Sequence, residues 1–113
     1  MYIAIVQIPT GKKRSREEAI AAGKASAPMY LVMKGLIRKD YLNGEDGGGG
    51  VYLWESQKAA DAWYNDDWWV MMEERFGVRP TLTCYDHYVT VDNAAGNLCV
   101  DGQPVTLQQD AAE

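Results

Sequence analysis

The sequence is poor in the side chains that reactive sites most often use. It has one histidine and two cysteines in 113 residues. Zinc and iron sites take three or four nitrogen, sulfur or carboxylate ligands. Neither Cys-x-x-Cys nor His-Glu-x-x-His occurs, so no resident metal is expected. Cys84 and Cys99 form no disulfide framework and read as free thiols. Basic residues are in deficit, 11 against 16 acids, giving a net charge of −5. Nucleic-acid binding rests on neutralising phosphates with a basic surface, so the charge balance disfavours that class of partner and none is expected. The one basic cluster, KKRSR from Lys12 to Arg16, runs straight into Glu17 and Glu18 and reads as a solvated loop and helix start. No apolar run approaches the roughly 18 residues of a membrane span. The opening MYIAIVQIPT lacks the basic start and cleavage site of a signal peptide. The expectation is a soluble, cytoplasmic protein with no membrane partner.

What the chain does have is a concentration of aromatic residues. All four tryptophans, Trp54, Trp63, Trp68 and Trp69, fall within YLWESQKAADAWYNDDWW. With 47% apolar residues the chain can build a core as one domain. YIAIVQI (2–8) is β-branched without a helical period and reads as a strand. Ser15-x-x-Glu18 is a capping-box signature. The apolar residues behind it recur at helical spacing, with a kink or restart expected at Pro28 and a stop at Gly35. LIRKDYL (36–42) and VYLWE (51–55) read as two strands of a hairpin. The intervening NGEDGGGG (43–50) reads as a turn, because four consecutive glycines are poor material for a regular element. Ser56 caps a helix through Trp63. Asn65-Asp66-Asp67 breaks it and caps a second helical piece that ends at Gly77. TLTCYDHYVTV (81–91) alternates as a fourth strand.

The resulting order, β-α-β-β-α-β, predicts an α+β fold of ferredoxin-like type, one antiparallel sheet with helices on one face. The other face keeps Tyr, Val, Leu and Ile side chains, and an uncovered apolar sheet face usually belongs to an interface. Two chains packed sheet on sheet, as a homodimer, are therefore expected. Residues 94–113 are less aromatic. Asp101-Gly102 signals a short hairpin with Pro104 confined to an edge strand; a loosely attached tail is the alternative.

GLIRKDYL, GGGGVYLWES with AADAWYND, and GVRPTLTCYD followed by VDN resemble the YdhR-type monooxygenase family of the dimeric α+β-barrel superfamily. The resemblance covers residues 1–93, is strongest over 49–65 and leaves the C-terminal extension outside. It implies a dimeric α+β barrel with a ligand cavity between sheet and helices in each protomer. More weakly, it implies oxygenation of a small aromatic or quinol-like molecule. Haem-degrading relatives pair a first-strand amide with a helical tryptophan and an axial histidine. Counted from Trp54-Glu55-Ser56, Trp63 takes the tryptophan position and Gln7 falls near the amide, but the axial position falls near Glu73. Haem is therefore not expected, and no other cofactor is implied.

A cofactor-free oxygenase lets its substrate supply electrons to oxygen, which requires a base to make an electron-rich anion. His87 is the candidate base, imidazole being the side chain most often used for general acid–base work. Tyr85, two residues away on the predicted strand, shares its face, whereas Cys84, three away, does not. Trp63, Tyr64, Trp69 and Tyr85 are candidates for an aromatic pocket, with Gln7, Arg38 and Tyr41 as polar contacts to a small aromatic or polyketide-like ligand. The bland readings stand beside these. His87 reads more readily as a hydrogen-bonded structural residue than as a base, Trp54 and Trp69 as core, and Trp68 as exposed or at a dimer edge. Arg38, Lys39 and Asp40 read as solvent-facing. A non-catalytic binding module, and an isomerase, cyclase or lyase using the same pocket, are the rival functions.

Overall fold

The computed structural model describes residues 1–107. Seven strands and three helices follow one another as β1 (Tyr2–Ile8), α1 (Arg16–Leu31), β2 (Leu36–Gly44), β3 (Gly47–Trp54), α2 (Gln57–Trp63), α3 (Asp66–Phe76), β4 (Thr81–Asp86), β5 (Val89–Asp92), β6 (Asn97–Val100) and β7 (Gln103–Val105). The first four strands form an antiparallel sheet in the order β2-β3-β1-β4. The last three form a separate antiparallel sheet in the order β5-β6-β7. The molecule is α+β, and among the described residues no helix is long and apolar enough to cross a membrane.

The period of two along β1 sorts the main sheet into two faces. Ala4, Val6 and Ile8 are buried, and register puts Tyr52 and Trp54 of β3 on the same side. Ala60 of α2 and Trp68 and Met72 of α3 complete this core, so the helices lie on one face. Trp54 is wholly buried, and its indole N–H donates to the Tyr64 hydroxyl at 3.2 Å. Trp68 is also buried, at 3% exposure, so it stands neither in solvent nor at an outer edge. It fits there because the Asn65 side chain caps α3 by accepting from the Trp68 N–H, which aims the first turn at the sheet.

The helix signals in the sequence are realised. Ser15 accepts from the Glu18 N–H at 3.1 Å while Glu18 accepts from the Ser15 N–H at 3.0 Å, the two halves of the capping box. Ser56 caps α2, and Gly77 ends α3 with φ of 72°. Pro28 causes no restart: α1 is one element through Leu31 and ends before Gly35. Pro28 lies in its last turn, where the missing N–H costs a single bond.

Two expectations are corrected. The glycine run is not a loop: Gly47–Gly50 open β3, and the turn shrinks to Glu45-Asp46. Gly49 sits between Gln7 of β1 and Leu42 of β2 with φ of 154°, and a Cβ there would land on the Val6 carbonyl oxygen. Glycine serves here as a strand residue under close approach of the neighbouring backbone. The predicted strand 81–91 is likewise two strands in two sheets. Past Asp86 the pairing runs out, because the His87 N–H already meets the carbonyl of Met1, where β1 begins. The chain leaves the sheet and β5 pairs with β6 instead. The small sheet thus begins before residue 93, inside the span that the resemblance covers. Asp101 and Gly102, both at positive φ, join β6 to β7, and Pro104 stands on the edge strand β7. A frayed C-terminal end, expected from composition, falls mostly on 108–113, outside the described residues.

Candidate functional site

Between α1 and the helix-covered face of the sheet lies a cavity of about 600 Å³. It exists because small residues oppose small residues. The inner side of α1 offers Ala19, Ala22, Gly23, Ser26 and Ala27, and the sheet beneath offers Gly48 and Gly49. No residue of α1 is fully buried, whereas α2 and α3 pack tightly. Met72, Arg75 and Phe76 of α3 close one end. A volume of this size is in the range of sites for small organic ligands.

The mouth is formed by the segment from β1 to α1, which carries Lys12 and Arg14. That segment is clamped to β2: Asn43 accepts from the Arg14 N–H and donates to the Arg14 carbonyl, at 3.1 and 3.0 Å. Lys24, Lys39 and Arg75 add further positive charge, and among the described residues no acidic side chain lines the cavity. Among the described residues the ion pairs are Lys13–Glu45, Arg38–Asp40 and Arg79–Glu73, none of which uses a cavity cation. An acidic protein therefore presents a basic interior site, which attracts small anions.

Lys39 is the most unusual of these groups. Its ammonium lies 3.5 Å from the ring centroid of Tyr30, 4.0 Å from Tyr41 and 4.8 Å from Tyr52. Burial, reinforced by the positive charge of Arg75, lowers its pKa from 10.5 to about 7. The three ring faces act in the opposite sense, favouring the cation. Burial also pushes the Tyr30 and Tyr52 hydroxyls above the ordinary phenol range, so both stay protonated and neither supplies a counter-charge. Gly50 makes room for the lysine stem: a Cβ there would come 3.1 Å from Lys39 Cε and 3.0 Å from Tyr52 Cε1.

Of the eight residues singled out from sequence, Tyr41 alone lines this cavity, its hydroxyl 2.7 Å from Ser26 Oγ. Trp63 stands behind the wall, edge-on to Tyr30 at 6.2 Å. Tyr64 is a core residue holding Trp54, and Trp69 packs on Trp68 with Arg79 over its ring. Gln7, Arg38 and Tyr85 are on the opposite face of the sheet. There Gln7 accepts from Thr81, Arg38 pairs with Asp40 at 2.9 Å, and Tyr85 is 55% exposed. The amide and tryptophan of the haem-degrading pattern are thus separated by the sheet. His87 is also remote: it follows the end of β4, and its Nε2 shares a hydrogen bond with Thr90 Oγ1 at 2.9 Å. It belongs to the junction between the two sheets.

Sequence reasoning missed Lys39, although the signal was present. Lys39 and Tyr41 are two apart on β2 and must share a face, whereas Arg38 and Tyr41, three apart, cannot. Among the described residues no group of three or more His, Cys, Asp or Glu side chains stands close enough to hold a metal. No family model and no curated protein matches this chain.

Proposed function

We propose that this chain is a ferredoxin-like protomer of a homodimeric α+β barrel that binds a small aromatic or polyketide-like molecule between α1 and the sheet, and oxygenates it without a bound cofactor. The cavity carries the reading. Its wall of Tyr30, Tyr41, Tyr52 and Phe76 suits a flat aromatic body, and its cations suit a ligand that carries or develops negative charge. The observed strand order supports a ferredoxin-like arrangement. Ile3, Ile5, Val51 and Leu53 on the open face support a second copy packed against it. The unpaired Cys84 and Cys99 accord with a cytoplasmic protein.

In this reading the substrate is a phenol or quinol whose anion gives an electron to dioxygen inside an enclosed site. Oxygen uptake by the purified protein, followed with a panel of phenols, quinols and an aliphatic control, tests it. Saturable uptake with one aromatic class, lost in Tyr41→Ala and kept in His87→Ala, is the expected result. Saturable binding of such compounds without oxygen uptake would replace oxygenation by a binding function. The position of His87 outside the cavity favours that second reading over any mechanism that uses the histidine as base.

A further inference from the structure

The cavity holds a basic group that the proposed chemistry has not yet used. Lys39 lines the pocket, has no carboxylate beside it among the described residues, and is ringed by three tyrosine faces. We propose that the Lys39 amine is the proton acceptor of this cavity, and that the site selects an acidic phenol or enol and holds it as the oxyanion beside the Lys39 ammonium. The assignment rests on the cavity being a ligand site; it does not require that oxygen be consumed.

The step is a single proton transfer. The ligand O–H bond breaks, its electron pair stays on oxygen, and the proton forms a new N–H bond on the neutral amine. No oxidant or reductant takes part. The surroundings favour the products over the reactants. The new ammonium gains the ring faces of Tyr30, Tyr41 and Tyr52. The new oxyanion lies among Arg75, Lys24 and the mouth residues Lys12 and Arg14, with no acidic side chain among the described residues lining the cavity to repel it. Before binding, burial, reinforced by the positive charge of Arg75, keeps part of Lys39 neutral, with a pKa of about 7. A carboxylic acid fits less well: it arrives ionised at neutral pH, brings no proton for Lys39 and leaves that amine unused.

The test uses the full chain and 4-nitrophenol, whose phenolate absorbs visible light and whose phenol does not. Titrations are run on both sides of neutrality with wild type, Lys39→Met and Lys39→Arg. The expected result is a bound probe that shows the phenolate band even where the free probe is protonated. Lys39→Met lowers affinity by about ten-fold or more and returns any bound probe to the neutral form. Lys39→Arg, a permanent cation, also holds the phenolate, but the phenol's proton then passes to the buffer, whereas near neutrality the wild type takes part of it up on Lys39, a difference read as proton release on binding. A wild-type complex that holds neutral phenol overturns the proposal without need of any variant. So does a phenolate band and affinity unchanged in Lys39→Met. If no phenol binds at all, this assignment and the proposed function fall together. If phenolate formation follows Lys39 while no phenol or quinol supports oxygen uptake, the Lys39 assignment stands and oxygenation alone is lost.

Discussion

The Lys39 ammonium lies 3.5 Å above the Tyr30 ring centroid, one strand of the sheet presenting a cation to the inner face of α1. Such a group is costly while the cavity is empty, and the sign of the cost follows from its pKa. Lys39 falls from 10.5 in the unfolded chain to about 7 in the folded one. Between these values the unfolded chain holds more protons, so the folded state gains stability as pH rises through this window. Below pH 7 the full penalty is present. Lys39→Met should therefore stabilise the ligand-free protein at pH 6 by roughly 1–2 kcal/mol, after discounting for solvent screening. The advantage should shrink towards pH 9. Urea denaturation of both proteins across this range checks it; an equal difference at every pH would mean that Lys39 does not titrate as described.

The glycine run supplies a prediction that separates backbone need from empty space. Gly49→Ala puts a Cβ on the Val6 carbonyl at a φ that L residues rarely adopt, between two paired strands. It should cost about 3 kcal/mol or more. Gly96→Ala also faces a positive φ, 73°, but nothing lies within 4 Å of the new methyl. Its cost should stay near 1 kcal/mol. Urea midpoints for the two variants, with m-values to confirm a common transition, give the comparison. Equal losses would show that steric contact with β1 contributes nothing.

Tyr64→Phe removes a hydroxyl from a residue first considered for the pocket. In the folded chain that oxygen is the acceptor for the wholly buried Trp54 indole. The substitution should cost about 1–3 kcal/mol, because it strands a buried donor. Ligand affinity should hold, since Tyr64 is not among the cavity residues. A change in 4-nitrophenol affinity matching that of Tyr41→Ala would place Tyr64 back at the site.

Much of the fold was legible because local signals agreed with tertiary packing. The capping box at Ser15, the caps at Ser56 and Asn65 and the stop at Gly77 all rest on bonds within a few residues of each other. The errors came where the deciding contact was distant in sequence. Gly47 and Gly49 are strand glycines because β1, some forty residues earlier, passes so close that no side chain fits there. Strand β4 ends at Asp86 only because β1 begins at Tyr2. The site was less legible still. Composition counted Lys39 as one more surface charge, and its role emerges only when Tyr30, Tyr41 and Tyr52 converge on it from three elements. The parity rule applied to Cys84 and His87 was not carried to Arg38, Lys39 and Tyr41, where it would have exchanged Arg38 for Lys39.

The open face of the sheet yields the test of assembly. Ile5 sits on β1 between Val51 and Thr83, on the side that no helix of the described residues covers. If a second copy packs there, Ile5→Glu forces a carboxylate into a dehydrated, apolar contact without a partner. The expected penalty is about 3 kcal/mol or more, at least a hundred-fold in the dimer dissociation constant. The protomer itself should survive, because this side chain points away from the core of Ala4, Val6 and Trp54. Sedimentation equilibrium is the measurement, with far-ultraviolet circular dichroism to confirm that the variant is folded. Wild type should be a dimer and Ile5→Glu a monomer of unchanged secondary structure. A monomeric wild type, or a variant that dimerises equally well, would remove this face from the assembly. The cavity on the other side would be untouched by that outcome, since Val6 and Ile8 line it and Ile5 does not.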